Sequence, residues 1–506
     1  MKINQLKFGI YLSYVSLFLT NITNLVLTPF IIRNLGQSEY GLYTLIGAFV
    51  GYIAVLDFGL SNTTVRFVAK YRVEGNKEEE ERFLYSTTII YLIITAIILV
   101  IGTIIYLNLD AIFRNSLTVS EIEIAKIMFI ILVINLGLTL PMNLFKGIIT
   151  AYERFVFPRL LTIARTVLRA IVVLILLAFG YKAVAIVLVD ALFNVAMMIL
   201  SMLYVFVKLN IRIKRHKLFF SVFKEIFSYS SLIFISVVVD QLYWRIGHLL
   251  LGILASTSEV AIFSIGMVFG QYFITFSTAI SGVFLPKITK MVVKNATGEE
   301  LTDIFIKTGR FQFIILGFVF GGFLLFGKKF ILLWAGPNYG ISWIIALIVM
   351  LPLLIVLIQT IGITILQAKN MHGFRAFAYL IISFINVFIS IYLVGKMGAI
   401  GAAIGTSLSL FLGNIVAINI YYQIKVGLNI PRFFKEVFRG LLPSLGISIA
   451  IGSILLLLSD TTWLTLISQC VSYTFVFIIF IWYFGINKFE KNLIKKELRK
   501  IKRSKN

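Results

Sequence analysis

The sequence predicts an all-α polytopic membrane protein: about 14 transmembrane helices, built as two six-helix lobes related by a parallel repeat, plus two extra C-terminal helices. Three observations carry this. Of 506 residues, 59% are apolar and only 13% charged, against about 45–50% and about 25% in average globular domains; the mean hydropathy is +0.98. So few polar groups cannot shield that much apolar surface from water, and the same composition excludes a disordered chain. Apolar stretches long enough to cross a bilayer recur along the whole chain, and its two halves match at an offset of 220 residues.

A bilayer core of about 30 Å takes about 20 apolar residues as a helix. Spans are expected at 9–31, 42–65, 84–107, 125–145, 160–180, 183–207, 228–254, 259–285, 311–327, 342–366, 376–394, 400–423, 440–458 and 462–485. The first is long enough to cross and is not followed by an A-x-A cleavage pattern, so it reads as a retained helix rather than a signal peptide. No segment between spans is long enough for a soluble domain; 66–83 and 286–310 are charged connectors, and Glu74–Arg82 reads as a solvated turn and helix start. Pro141 and Pro352 interrupt spans 4 and 10; broken helices can flank a transport site, and a plain kink is the simpler role. Gly398, Gly401 and Gly405 are spaced for close helix approach.

Charge sets the orientation. Lys and Arg number 46 against 22 Asp and Glu, a net charge of +24. Of these cations, 36 fall in one set of alternate loops and the termini, 7 in the other set, and 3 inside spans. That bias places both termini in the cytoplasm of a multi-pass cell-membrane protein. The basic tail suits anionic lipid head groups; without interleaved aromatics for base stacking it is not a nucleic-acid site. Cys470 stands alone, so the chain forms no internal disulfide and has no CxxC motif. No GxxxxGK[ST] loop for ATP hydrolysis exists. No cofactor is expected, and any energy input would come from a proton or sodium gradient.

The repeat pairs Leu35–Tyr43 with Ala255–Phe263, so that Glu39 meets Glu259 and Tyr43 meets Phe263. In the same register Ser61 meets Ser281, Lys70 meets Lys290, Ala183 meets Ala403 and Asn194 meets Asn414. A unit of six helices keeps its orientation, so the two lobes should be related by an axis along the membrane normal. The expected organisation is a first lobe at 1–215, a second at 216–425, spans 13 and 14 at 426–486, and a basic cytoplasmic tail at 487–506.

Leu35-Gly36 with Glu39-Tyr40-Gly41-Leu42-Tyr43, then Leu56-Asp57-Phe58-Gly59-Leu60-Ser61 and Arg66, resembles the opening of bacterial polysaccharide-biosynthesis membrane proteins. These are the O-antigen-type flippases of the multidrug/oligosaccharidyl-lipid/polysaccharide exporter superfamily. Gly398–Thr406 is similar to that family's twelfth helix. The resemblance implies a transporter, not an enzyme, that moves a lipid-linked (polyprenyl-diphosphate) oligosaccharide across the cytoplasmic membrane. It implies work beside a polysaccharide polymerase and glycosyltransferases, and it draws attention to Asp57 and Arg66. The same motifs fit lipid II and teichoic-acid relatives.

Polar residues inside spans point to a path independently, because a central Arg costs about 2.5–3.5 kcal/mol to insert. Arg165 and Arg169 lie one turn apart in span 5 and share a face. In span 7, Gln241, Arg245 and His248 share a face, with Asp240 and Trp244 beside it; span 6 carries Asp190 and Asn194. The functional reading is an anion site, since a diphosphate offers bidentate acceptors that suit Arg. One charge pair at about 4 Å is worth about 4 kcal/mol at an effective dielectric near 20. The structural reading is that Arg165 or Arg169 pairs with Asp190 or Asp240 and fastens helices. His248 reads equally as a satisfied interior histidine, and not as a metal ligand, because His216 and His372 lie in loops. Arg66 also fits a cytoplasmic anchor, Arg33 an interfacial snorkel, and Lys146, Arg154 and Arg159 either an attracting inner mouth or plain topology.

Moving a glycan through hydrocarbon strips water from its hydroxyls, and a hydrated cavity between lobes removes most of that cost. The expected mechanism is alternating access. Arg165, Arg169 and Arg245 hold the diphosphate, with His248, Gln241, Asp57 and Arg66 as further substrate contacts; Asp190 and Asp240 are the ion-coupling candidates. An ion-coupled drug/cation antiporter of the same superfamily would favour acids over arginines in its cavity. A glycan polymerase or ligase would need a long outward loop with catalytic residues, whereas 108–124 and 328–341 are short and lack His. A membrane scaffold would leave the buried charges unexplained.

Overall fold

A computed structural model describes residues 4–216, 220–281, 284–369, 371, 373–457 and 460–492. Every regular element among them is helical. Among the described residues, eleven helices are long and apolar enough to cross a membrane, or twelve if Ile233–Trp244 and Ile246–Leu254, bent by 47°, make one span. Two of the eleven, Gln5–Glu74 with 70 residues and Gly373–Val426 with 54, greatly exceed one crossing at 1.5 Å per residue. Each is interrupted by a glycine in the left-handed region, Gly36 (φ 76) and Gly398 (φ 53), where only a residue lacking Cβ turns freely. These fall between the expected spans 1 and 2, and 11 and 12.

The chain forms two compact units: Met1–Ser264 with Ser390–Ala402, and Ile265–Ile389 with Ala403–Asn506. In the first, α1 (Gln5–Ile53) is followed by α2 (Leu60–Glu74), α3 (Lys77–Leu107), α4 (Leu109–Phe113), α5 (Val119–Ala151), α6 (Val156–Ala178) and α7 (Ala183–Leu203). Then come α8 (Phe220–Trp244), α9 (Ile246–Leu254) and the start of α10 (Thr257–Ser281). Helix α5 packs against α3 and α7, and α1 against α6. Leu42, Leu45, Ile46, Leu84, Ile98, Phe129 and Ile148 are fully buried. Phe18, Val26, Val100 and Leu192 face outward with more than half of their surface open, an arrangement suited to lipid and not to water.

Local sequence explains the boundaries. Gly75 (φ 69) closes α2, and the Asn76 side chain accepts from the Glu79 amide at 3.1 Å to start α3, with Glu78, Glu79 and Glu80 in its positive first turn. Thr118 and Glu121 form a capping box on α5. Pro141 and Pro352 lie inside continuous helices. The breaks fall elsewhere, which corrects three expected spans. Span 10 is interrupted at Gln359, between the helices Ile341–Ile358 and Thr360–Ala368. Span 2 is not continuous: α1 ends at Ile53, a 3-10 turn covers Ala54–Asp57, and Phe58 (φ 52) and Gly59 (φ 70) are left-handed before α2 begins. Span 7 bends at Arg245 (φ −116), between α8 and α9.

The offset of 220 recurs in three dimensions. Gly75 and Asn295 (φ 56) both take left-handed conformations just before capped helices begin. Glu39 accepts from the Ala183 amide at 2.9 Å, and Glu259, its repeat counterpart, from the Ala399 amide at 2.7 Å. Each carboxylate thus accepts from a backbone amide at the start of a helical stretch, Ala183 opening one helix and Ala399 following the break at Gly398. Ser264 donates to its own counterpart Thr44 at 3.0 Å, and a Cβ on Gly41 would meet the backbone of its counterpart Ala261.

The second unit holds α11 (Leu285–Val293), α12 (Gly298–Trp334), α13 (Ile341–Ile358), α14 (Thr360–Ala368), most of α15 (Gly373–Leu410), α16 (Ile418–Tyr421), α17 (Ile430–Phe438), α18 (Leu441–Ile454) and α19 (Trp463–Phe480). Its strongest polar tie is Arg310, 5% exposed, whose Nε donates to Glu490 at 2.6 Å and Nη2 at 3.0 Å. The same guanidinium donates to the carbonyls of Glu436, Arg439 and Gly485, so a buried charge is fully satisfied.

Candidate functional site

Two polar centres stand on the second half of α1, both inside the first unit. One is built on Tyr43. Arg169 on α6 grips Asp190 on α7 with both arms, Nε on one carboxylate oxygen and Nη2 on the other at 2.9 Å. The Tyr43 hydroxyl donates to Asp190 as well, at 3.4 Å. Both side chains of the ion pair are about one-fifth exposed. One turn before Arg169, Arg165 is half-buried and makes no hydrogen bond or ion pair among the described residues. It lies within electrostatic reach of Asp190 and of Lys146 on α5. Two guanidinium groups therefore stand beside one carboxylate that Arg169 already uses, and Lys146 stands beside Arg165.

The second centre is built on Gly47, Gly51 and Tyr52. Arg245, at the bend between α8 and α9, lays its guanidinium on α1, with Nη1 donating to the Gly47 carbonyl at 3.3 Å. A Cβ on Gly51 would stand 2.8 Å from that nitrogen, so the absent side chain is what admits the arginine. The Tyr52 hydroxyl donates to the Gln241 carbonyl at 3.2 Å. Arg245 has no ion pair among the described residues. Beside it, Gln241 Oε1 and His248 Nδ1 are shut off from solvent without a hydrogen-bond partner, and the His248 ring packs edge-on to Phe263 at 4.9 Å. Tyr43 and Tyr52 are nine residues apart, about 14 Å along the helix axis.

The remaining expected residues lie apart. Asp57 occupies the 3-10 turn beside Asn143, Tyr91 and the Gly59 amide. Arg66 is exposed on α2 with its guanidinium 5.7 Å from the Phe67 ring centre. Asp240 is exposed on α8. His216 pairs with Glu81 at 3.4 Å, and His372 lies outside the described residues. The structure thus brings together Arg165, Arg169 and Asp190, and separately Gln241, Arg245 and His248. It adds Tyr43, Tyr52 and the two glycines, and brings Lys146, a candidate for the inner mouth, beside Arg165. Gly47-xxx-Gly51 is a small-residue spacing legible in the sequence; the nearness of Lys146 to Arg165 is not.

Residues 6–292 match the family described as "Polysaccharide biosynthesis protein". The uncharacterized membrane protein EpsK of Bacillus subtilis is 22% identical over 502 residues, 94% of each chain. The probable low-salt glycan biosynthesis flippase Agl15 of Haloferax volcanii is 22% identical over 417 residues, 80% of this chain and 82% of that one. Among solved structures, the lipid II flippase MurJ in an inward closed conformation superposes with a TM-score of 0.73 at 18% identity, covering 96% of this chain and 100% of that one. An inward-facing multidrug resistance MATE transporter of the MOP superfamily gives 0.67 at 15% identity, covering 81% and 94%. The fold is thus shared with flippases and drug exporters alike. The family match covers more than half of the chain and the whole of both polar centres, and on that ground the chain belongs to the polysaccharide biosynthesis protein family.

Proposed function

We propose that this flippase carries a polyprenyl-diphosphate-linked oligosaccharide from the inner to the outer leaflet of the cytoplasmic membrane, by alternating access, for cell-surface polysaccharide assembly. The observation that carries the reading is that Arg165 and Arg245, both half-buried, make no ion pair among the described residues, with the exposed Lys146 beside Arg165. Holding two half-buried guanidinium groups in a membrane protein without an ion-pair partner is costly, and a diphosphate head group supplies negative charge and bidentate acceptors. Arg169 is the exception: Asp190 and Tyr43 already occupy it, so it positions Arg165 and not the substrate. Gln241 and His248 offer unfilled polar atoms for the first sugar or the second phosphate.

The remaining organisation follows from this reading. Counting Gln5–Glu74 and Gly373–Val426 as two crossings each, and the bent pair as one, gives fourteen. Lobes at 1–215 and 216–425, spans 13 and 14 at 426–486 and both termini in the cytoplasm complete the arrangement, with the basic tail at 487–506 on anionic lipid. Glycosyltransferases and a polymerase would act before and after this step. The likeness to MATE transporters keeps a drug/cation antiporter as the second reading; a surplus of cations disfavours cationic cargo.

The test substitutes Arg245→Ala, verifies the membrane level and measures surface glycan. Loss of export with lipid-linked intermediates held in the inner leaflet is expected. Unchanged export would remove Arg245 from the mechanism.

A further inference from the structure

Asp57 is a carboxylate without a cation. The side chains facing it are Asn143 from α5 and Tyr91 from α3, with the Gly59 amide from its own turn. From α8, Ile233 abuts Gly59 and Phe234 stacks on Phe58 at 4.4 Å. None of these groups is charged. Asp57 Oδ1 and the hydroxyl of Tyr91, itself fully buried, are both shut off from solvent, and neither completes a hydrogen bond. Asp57 is half-buried with its Oδ1 enclosed, and negative charge on that oxygen carries a cost that a proton or a cation relieves. A metal cation is poorly served, because the Gly59 amide faces the same carboxylate and only the Asn143 and Tyr91 side chains add oxygen. A proton needs one acceptor, and the unfilled Oδ1 beside the unfilled Tyr91 oxygen provides it.

The position connects this acid to the second polar centre. Asp57 ends the turn where α1 breaks, and Phe58 next to it is a left-handed non-glycine residue, a conformation found where strain is part of a mechanism. The break leans on α8: besides Ile233 and Phe234, Thr63 hydrogen-bonds Ser230 at 2.8 Å. Helix α8 leads into the bend at Arg245, and Arg245 rests on the same helix α1 that Asp57 terminates.

We propose that Asp57, with Tyr91 and Asn143, is an exchangeable proton site whose occupancy sets the break between α1 and α2 and, through α8, the seating of Arg245. Uptake converts the carboxylate to a carboxylic acid using one proton from water; release returns it, with no other bond changed. The proposal rests on the transport reading above, so its test uses a readout that needs no substrate. Full-length protein in lipid vesicles is examined by infrared difference spectroscopy across a pH titration, in water and in deuterium oxide. The wild type should show a protonated-carboxyl band that shifts on deuteration, disappears in Asp57→Asn and moves in frequency in both Asp57→Glu and Tyr91→Phe. The band should ignore replacement of sodium chloride by choline chloride. A band that persists in folded Asp57→Asn, that stays put in Asp57→Glu, or that follows sodium overturns the proposal. Normal export by Arg245→Ala with the band behaving as described would instead refute the substrate reading and leave this site standing.

Discussion

Gly51→Ala separates the role of Arg245 in binding from any role in folding. The new Cβ would stand 2.8 Å from Nη1, 2.9 Å from Cζ and 3.0 Å from Nε of Arg245. Ordinary carbon contacts need about 3.5–4.0 Å, so the guanidinium must withdraw by roughly 1 Å. It is the far end of a flexible side chain and can do so. The hydrogen bond to the Gly47 carbonyl, long at 3.3 Å, is lost at about 0.5–1 kcal/mol. Alanine in a helix returns up to about 1 kcal/mol over glycine. Thermal stability should therefore stay near that of the wild type. A charge-assisted hydrogen bond from Arg245 to a phosphate is worth about 1.5–3 kcal/mol, so the Kd for an isoprenyl diphosphate should rise by about ten- to a hundredfold. Calorimetric titration of detergent-solubilised protein with farnesyl diphosphate reads this directly. In an Arg245→Ala background the same substitution should add nothing. Wild-type affinity in Gly51→Ala, or an equal further loss in the Arg245→Ala background, would refute the claim that Gly51 seats this arginine for its ligand.

Other substitutions probe the frame. Asp190→Asn releases Arg169 and removes the acceptor of Tyr43; it should lower stability by about 1.5–3 kcal/mol, and Asp190→Asn with Arg169→Gln should recover part of this in thermal unfolding. Arg310→Met strands Glu490, which is 2% exposed, so a loss of about 3–5 kcal/mol is expected, with a visibly lower Tm and unchanged diphosphate affinity. Glu39→Ala and Glu259→Ala each remove a carboxylate cap and should destabilise by similar amounts, about 1 kcal/mol each; clearly unequal effects on unfolding would contradict the structural equivalence of the two repeats.

Much of this molecule was legible before any coordinates. Hydropathy locates the spans because a helix in lipid must bring its own apolar surface and satisfy its own backbone. The motif at Leu56–Ser61 points to the family, and the register Glu39/Glu259 turns out to mark one capping role used twice. Within single helices, spacing also worked: Arg165 and Arg169 do share a face. What spacing does not report is which residues from other helices complete a site. Arg169 is consumed by Asp190, 21 positions away, while Arg165 gains Lys146 as its neighbour from α5. Arg310 counted only as one more basic residue near a connector, although its partner Glu490 lies 180 positions away. The glycines misled in a different way. Gly398 reads as one of three small residues for packing, yet it takes φ 53 and breaks its helix; residue type gives the permission for such a turn, and the surrounding packing decides whether it is used. The prolines are the converse, since Pro141 and Pro352 sit in unbroken helices.

The central claim is that Lys146, Arg165 and Arg245 await an anionic head group. It is tested most directly by equilibrium binding of farnesyl diphosphate and of farnesol, the same tail without charge, to the wild type and to Lys146→Gln/Arg165→Gln/Arg245→Gln. The wild type should prefer the diphosphate by at least about a hundredfold, as two lost phosphate contacts of about 1.5 kcal/mol each would require. The preference should weaken with added salt and vanish in the folded triple variant. An equal preference in both proteins, or none in either, would contradict it.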